Sequence, residues 1–229
     1  MAQPMRLLAG LAAVFVLTLS ATATNLPPGG SLLPLPGVTE VTDPNLSTGL
    51  VIYEGSVAVS QNGFNGVFRD RVIQGPLGNL IFMDALYNGF DDNLNPIASS
   101  GYLLSISHSD FAGFTVDAAY KVDGLDCPVG PPCSIIPPDS GSRSATGDTL
   151  TWNYNVPPSG TITQWTLAGT NTSHYDTNGT ADINLAEVTG LPFTIHLTGI
   201  AEPAVATPEP GTMLLLCLGL GATFARRRQ

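Results

Sequence analysis

Short segments between residues 50 and 200 carry apolar side chains at every second position, and no other feature restricts the possible folds as strongly. In the first segment Val51, Tyr53, Val57 and Val59 share one side of the alternation, with polar residues on the other. Alternate side chains of a β-strand point to opposite faces of a sheet, so the pattern predicts half-buried strands. Asn-Gly pairs at 62–63 and 65–66 provide turns between segments.

About eight such segments can be recognised. The first follows Leu50, and the others cover residues 66–73, 78–88, 102–107, 114–121, 150–156, 161–168 and 193–198. Segment 78–88 is apolar on both faces, which is typical of a central strand. Outside the two ends of the chain no segment indicates a helix. We therefore predict an all-β fold, an antiparallel two-sheet sandwich, with a jelly roll or β-barrel as the alternative.

The stretch from Thr207 to Gln229 combines three features in a fixed order. It contains a Pro-Glu-Pro triplet, an apolar run over 213–225 and a basic end, that is, Pro208, Glu209, Pro210, then Arg226, Arg227 and Arg228. As a helix, the apolar run spans roughly 20 Å, less than the roughly 30 Å of hydrocarbon in a bilayer. We expect it to enter a membrane transiently, with the arginines on the cytoplasmic side.

The three parts together resemble the PEP-CTERM signal of bacterial envelope proteins. The resemblance implies export, transient insertion in the inner membrane through the short C-terminal hydrophobic helix, and processing by an exosortase-type enzyme. It also implies a bacterium that makes exopolysaccharide, where such proteins join a biofilm or floc matrix. The alternative interpretation is a hydrophobic terminal helix that packs into the core.

The N-terminal stretch predicts a cleavable signal helix. Arg6 is its single charge, and residues 7–19 form an apolar run too short for a permanent membrane span. Ala21 and Ala23 are the small residues that signal peptidase accepts, so we predict cleavage after Ala23. An uncleaved anchor is the alternative.

Residues between the two terminal signals divide into a Pro- and Gly-rich lead-in, 24–47, and a β domain, 48–203, with the sorting signal over 204–229. We expect the lead-in to be extended or disordered, because proline removes backbone donors. Only four of the eight basic residues lie in this exported part, against all eighteen acidic residues except Glu209, so its net charge is −13. Nucleic-acid binding is therefore excluded, since phosphates require clusters of Lys and Arg.

Two of the three cysteines, Cys127 and Cys133, bracket a Pro-rich loop. In an exported protein the simple interpretation is a disulfide between them, with Cys217 removed together with the C-terminal signal. A metal half-site is the alternative, but the sequence provides no second Cys pair, and the three His are scattered.

The β domain also resembles uncharacterised β-rich ectodomains that precede PEP-CTERM signals. The matching segments are residues 78–82 with Asn88, residues 111–120, Arg143 ahead of Gly147, and residues 170–175. No activity is established for this family, so the resemblance implies only a shared fold.

No catalytic residues are predicted. Ser107, His108 and Asp110 are close in sequence, but neighbours on a strand point to opposite faces and do not form a relay. We interpret His108 as a polar residue at a strand end and His196 as part of a polar strand face. Trp152 is expected in the core; Trp165 is expected there too, with an exposed sugar-stacking platform as the alternative.

One turn has the spacing of calcium ligands. Asp91, Asn93 and Asn95 give the D-x-N-x-N pattern that opens a Ca²⁺ loop. Pro96 then replaces the required glycine, and Tyr102 replaces the closing carboxylate, so an ordinary solvated turn is the competing interpretation.

These features together predict an exported envelope or matrix protein without enzymatic activity. We expect a structural or adhesive role in exopolysaccharide or biofilm. The alternative is a carbohydrate-binding module, with Ca²⁺ assisting at Asp91, Asn93 and Asn95.

Overall fold

The computed structural model describes residues 22–122, 134–155 and 160–205, which form two β-sheets and one short helix. The first sheet contains β1 (Thr24–Asn25), β3 (Gly37–Val38), β4 (Leu50–Gln61), β5 (Phe64–Gln74), β6 (Leu80–Asn88), β8 (Val116–Lys121), β9 (Ser134–Ile136), β12 (Thr161–Thr163) and β13 (Thr166–Thr170). The second sheet contains β2 (Ser31–Leu32), β7 (Tyr102–His108), β10 (Ser140–Arg143), β11 (Leu150–Asn153), β14 (His174–Ala186) and β15 (Pro192–Ala204). The helix, α1, is Pro44–Ser47.

The first sheet is organised around β6. One side of β6 pairs with β5, which pairs in turn with β4. The other side pairs first with β12 and then with β13, and β8 lies beyond β13. The second sheet has the order β15-β14-β7-β11-β10-β2. The all-β prediction is confirmed, with one difference: the short pairs β3–β8 and β9–β12 are parallel.

Side chains from the two sheets meet in one apolar core. Phe68 and Phe82 from the first sheet and Ile106, Trp152 and Ile183 from the second are each at most 2% exposed within it. Burial of such side chains stabilises the fold by about 1.5–3 kcal/mol each. The core position predicted for Trp152 is confirmed.

The opposite face of the first sheet carries a second apolar cluster. Ile81, Met83 and Tyr87 of β6 belong to it, so all nine residues of this strand are buried, as the two-sided apolar pattern predicted. The guanidinium of Arg69 lies 4.8 Å from the ring centre of Tyr87. Arginine stems therefore cover aromatic rings on this face.

The lead-in contains extended pieces, as one of the two expectations had it, but it packs against the domain, in contrast to the expectation of disorder. Leu26, Leu35, Val38 and Leu46 are buried in the two clusters. The segment contributes three two-residue strands and α1, and its five prolines, which lack a backbone donor, keep the strands short. Burial of the leucine side chains contributes more to the stability of this segment than the few backbone hydrogen bonds of its short strands.

Several strand boundaries differ from the sequence prediction. The segment 161–168 is two strands, β12 and β13, separated at Gln164 and Trp165. The strands β10 and β14 and the helix α1 were not predicted. The expected signal helix and C-terminal hydrophobic helix lie outside the described residues. Within the described part, no helix has the length and apolar character to cross a membrane.

Candidate functional sites

A buried polar cluster joins the two sheets. Asp70 of β5 and Asp84 of β6 stand opposite each other in the first sheet, and His108 ends β7 in the second. Each of the three residues is 2–3% exposed. The Nδ1 atom of His108 lies 3.0 Å from Oδ2 of Asp84, and the Ala201 N–H donates to Oδ2 of Asp70 at 2.9 Å. The cluster therefore links β5 and β6 to β7 and β15.

Burial and charge determine the protonation of this cluster. Burial raises the pKa of Asp70, and the charge of Asp84 raises it further, although the Ala201 N–H opposes the change. Burial by itself would lower the pKa of His108. The charge of Asp84 and the hydrogen bond to it, together with the charge of Asp70, raise that pKa instead. These effects favour the protonated form of His108.

Aromatic rings seal the cluster from solvent. The ring of Phe111 packs edge-on against His108, with 5.0 Å between centroids, and also against Phe82. Nε2 of His108 and the Oδ1 atoms of Asp70 and Asp84 have no hydrogen-bond partner in the described residues. A substrate has no access to these groups, so the arrangement suits a polar link between sheets.

The sequence predicted His108 at a strand end, which is correct, but it did not predict that the side chain is buried. Its carboxylate partner comes from β6 and not from the neighbouring residues. Ser107 points away and pairs with Thr151, with 3.0 Å between the hydroxyl oxygens. As predicted, Ser107, His108 and Asp110 form no relay. His196 lies on an exposed face, also as predicted, with Nδ1 2.6 Å from Oδ1 of Asp182.

Arg143 is a second buried polar centre, 5% exposed. Its Nη2 donates to the carbonyl oxygens of Phe111 and Phe114, both at 2.8 Å, and Nε donates to that of Gly147 at 2.9 Å. Its Nη1 donates to the carbonyl of Leu26 at 3.2 Å. Burial lowers the pKa of Arg143. One guanidinium thus fixes the β7–β8 loop, the β10–β11 turn and the lead-in.

Three carboxylates that the sequence did not single out gather near one end of β14 and β15. Asp176 and Glu202 are opposite each other on these strands. Burial, followed by hydrogen bonds and charge from Asp176 and Asp110, raises the pKa of Glu202 to about 8. The N–H of Asn178 and a hydrogen bond with Glu202 lower the pKa of Asp176. At neutral pH Glu202 is therefore the protonated member.

The proposed calcium ligands lie on one exposed turn. Oδ1 of Asp91 accepts from the N–H groups of Asn93 and Asn95 at 2.9 and 2.8 Å, and Oδ2 accepts from Nδ2 of Asn95 at 3.0 Å. The Asn95 bonds, followed by the Asn93 N–H, lower the pKa of Asp91. Among the described residues no group of three or more His, Cys, Asp or Glu side chains could hold a metal.

Trp165 is 1% exposed, in the cluster on the outer face of the first sheet. The guanidinium of Arg71 lies 4.6 Å from the centre of its ring. Core packing is therefore confirmed for this residue, and the exposed sugar-stacking platform is wrong, because the arginine and neighbouring strands cover the indole.

The remaining predicted sites lie outside the described residues. They are Ala21, the cysteines Cys127, Cys133 and Cys217, and the sorting-signal residues Pro208, Glu209, Pro210, Arg226, Arg227 and Arg228.

Comparison with known proteins assigns one segment of the chain. Residues 206–229 match the family model of the PEP-CTERM protein-sorting motif. No curated protein and no solved structure gives a significant match. The sorting motif is the signal that exosortase recognises, so the chain is an exported substrate of that enzyme, directed to the cell envelope.

Proposed function

We propose that the protein is a structural or adhesive component of the extracellular matrix, held in exopolysaccharide outside the cell. The match of residues 206–229 to the sorting motif carries this proposal, because it sends an all-β domain to the envelope. A role without catalysis is supported by the enclosure of Asp70, Asp84 and His108, which a substrate cannot reach.

The outer face of the second sheet provides a surface for adhesion. Two rows of polar residues cross it from strand to strand, and we call these residues the polar face. The first row is Thr194, Asn184, Ser105, Asn153 and Ser140, and the second is His196, Asp182, Ser107, Thr151, Ser142 and Ser31. Several neighbours within a row are hydrogen-bonded through their side chains, for example Nδ2 of Asn184 to the hydroxyl of Ser105 at 3.0 Å and Nδ2 of Asn153 to that of Ser140 at 3.1 Å.

The chemistry of the polar face suits an uncharged polysaccharide. Apart from the Asp182–His196 pair it presents hydroxyl and amide groups, which donate to and accept from sugar hydroxyls, and it includes no Lys or Arg that would select an acidic polymer. Strands are about 4.8 Å apart, and alternate residues on one strand about 6.7 Å apart, so the groups form a regular array. Many weak contacts repeated along a polymer chain add up to useful avidity.

Binding to the host's own exopolysaccharide tests the proposal. The double variant Asn184→Ala, Thr151→Ala removes one group from each row, and we expect it to co-sediment less with the polymer. Ser60→Ala removes a hydroxyl from β4, in the first sheet, and serves as the control. Equal binding by all three proteins, or none by the unaltered protein, would contradict an adhesive role.

The matrix role itself is tested in cells. Deletion of the gene should release matrix polymer into the medium and reduce aggregation. The full chain should restore both properties, and a chain lacking residues 206–229 should restore neither. Normal matrix in the deletion strain would contradict the proposal.

A further inference from the structure

A cavity of about 260 Å³ lies beside the first residues of β1. Four polar residues line it, namely Asp43, Asp117, Asn45 and Asn79, and Leu46 and Gly169 are also among its lining residues. No Lys or Arg lines it. Oδ1 of Asn79 is buried and has no hydrogen-bond partner among the described residues. This combination of unneutralised acceptors suits a small cation with several N–H donors.

The chain itself already enters this cavity. Ala23 lines it, and the Ala23 N–H donates to Oδ2 of Asp43 at 3.0 Å. The other oxygen of Asp43 accepts from the Leu46 N–H and caps α1. Immediately after Ala23, Thr24 begins β1 opposite Ala118 of β8. A carboxylate is therefore fixed beside the Ala23–Thr24 peptide bond, where the sequence predicts signal-peptide cleavage.

We propose that this cavity is the binding site for the chain's own α-ammonium group, created when signal peptidase cleaves after Ala23. In that step water adds its oxygen to the Ala23 carbonyl carbon, and the peptide bond to the Thr24 nitrogen breaks. Ala23 leaves as a carboxylate, and the Thr24 nitrogen takes up protons to become an ammonium. The inference rests on the predicted cleavage site and is independent of the matrix role.

Geometry supports the replacement of the Ala23 N–H by the Thr24 ammonium as the donor to the Asp43 carboxylate. Nitrogen atoms of consecutive residues are roughly 3.5 Å apart, so a modest shift of the freed chain end would bring the Thr24 nitrogen to the carboxylate that now bonds Ala23. Departure of Ala23 also leaves space in the cavity. The pairing of Thr24 and Asn25 with β8 keeps the new terminus in place. The uncleaved chain offers Oδ2 of Asp43 only the neutral N–H of Ala23, whereas the mature chain offers a charged group with three N–H donors.

The structural consequence is that signal-peptide cleavage supplies the last ionic contact of the domain. In the uncleaved precursor Asp43 and Asp117 both line the cavity, and none of its lining residues is a Lys or Arg. In the mature chain the ammonium compensates the two carboxylates, and the N-terminal segment is attached to α1 and β8 by an ion pair.

The reactivity of the α-amino group tests this site. An ordinary α-amino group has a pKa of about 7.7–8.0, and a neighbouring carboxylate raises it. We expect the exported protein to be acetylated at its N-terminus about tenfold more slowly at pH 7 than the Asp43→Asn variant, which corresponds to about one pKa unit. Asn still caps α1, so this variant retains the local fold. Lys121, the only lysine of the chain, serves as the internal reference for mass spectrometry.

Two further variants make the result specific. Asp117→Asn should accelerate acetylation to a smaller extent, and Asp92→Asn, in the loop after β6, should leave the rate unchanged. Equal rates for the unaltered protein and Asp43→Asn would overturn the proposal. An exported chain that begins at a residue other than Thr24 would overturn it too.

Discussion

The imidazole of His108 and the carboxylate of Asp84 form a hydrogen-bonded pair, Nδ1 to Oδ2 at 3.0 Å, across the interface of the two sheets. We expect His108→Leu to lower the free energy of unfolding by about 3–5 kcal/mol, because it leaves a buried carboxylate without its partner. Urea denaturation measures the loss. His196→Leu, which disrupts an exposed pair, is the control and should cost less than about 1 kcal/mol. Similar losses in both variants would contradict a stabilising role for the buried pair.

The protein should lose stability as pH rises from 5 to 8. Glu202 has a folded pKa of about 8, above its unfolded value of 4.5, so its contribution is complete below 4.5 and is lost as pH rises towards 8. The raised pKa values of His108 and Asp70 act in the same direction. Glu202→Gln stays neutral at all pH values and should flatten the decline, measured as the melting temperature at each pH. Glu187→Gln should keep the original profile; a Glu202→Gln profile as steep as that of the unaltered protein would count against the assignment.

Replacement of Arg143 should destabilise the domain even when the charge is retained. Arg143→Lys loses the planar guanidinium that bonds four carbonyl oxygens and should cost about 3 kcal/mol or more, and Arg143→Met should cost at least as much. Chemical denaturation of the two variants provides the measurement. Full stability of Arg143→Lys would mean that one ammonium group can replace the guanidinium and its bonds to the four carbonyl oxygens.

Calcium should leave the melting temperature unchanged. Three hydrogen bonds within its own turn already engage the Asp91 carboxylate, and the turn lacks the closing carboxylate of a calcium loop. Melting curves with millimolar Ca²⁺ and with chelator provide the comparison. A rise with Ca²⁺ that disappears in Asp91→Ala would instead establish the calcium site.

The sorting signal should be removed from the exported protein. Mass spectrometry of the mature chain should give an N-terminus at Thr24 and a C-terminus near Pro208–Pro210. Replacement of Glu209 and both prolines by alanine should leave Arg226–Arg228 attached and keep the protein in the inner-membrane fraction. An intact C-terminus on the exported protein would refute processing.

The alternating pattern predicted the fold class and most long strands, because a half-buried strand has apolar residues on its buried face and polar residues on its exposed face. It missed β14, whose buried face is carried by Ala181, Ile183 and Leu185, since polar residues and a register shift obscure the alternation near Gly179. It also missed the Asp84–His108 pair. The two residues are 24 positions apart, and only the packing of one sheet on the other brings them together. The pattern of neighbouring residues therefore cannot predict the Asp84–His108 contact.

Each positive charge of the β domain is engaged within its own molecule. Arg69 and Arg71 cover aromatic rings, Arg143 bonds buried carbonyls, and Lys121 pairs with Glu40 and the Ser47 carbonyl. Towards its neighbours the domain therefore presents an almost purely anionic exterior. Crowded copies repel one another over the Debye length, about 8 Å in physiological salt and about 30 Å at 0.01 M. Dilution of the surrounding medium would then swell an assembly of these domains, and added salt would let it contract.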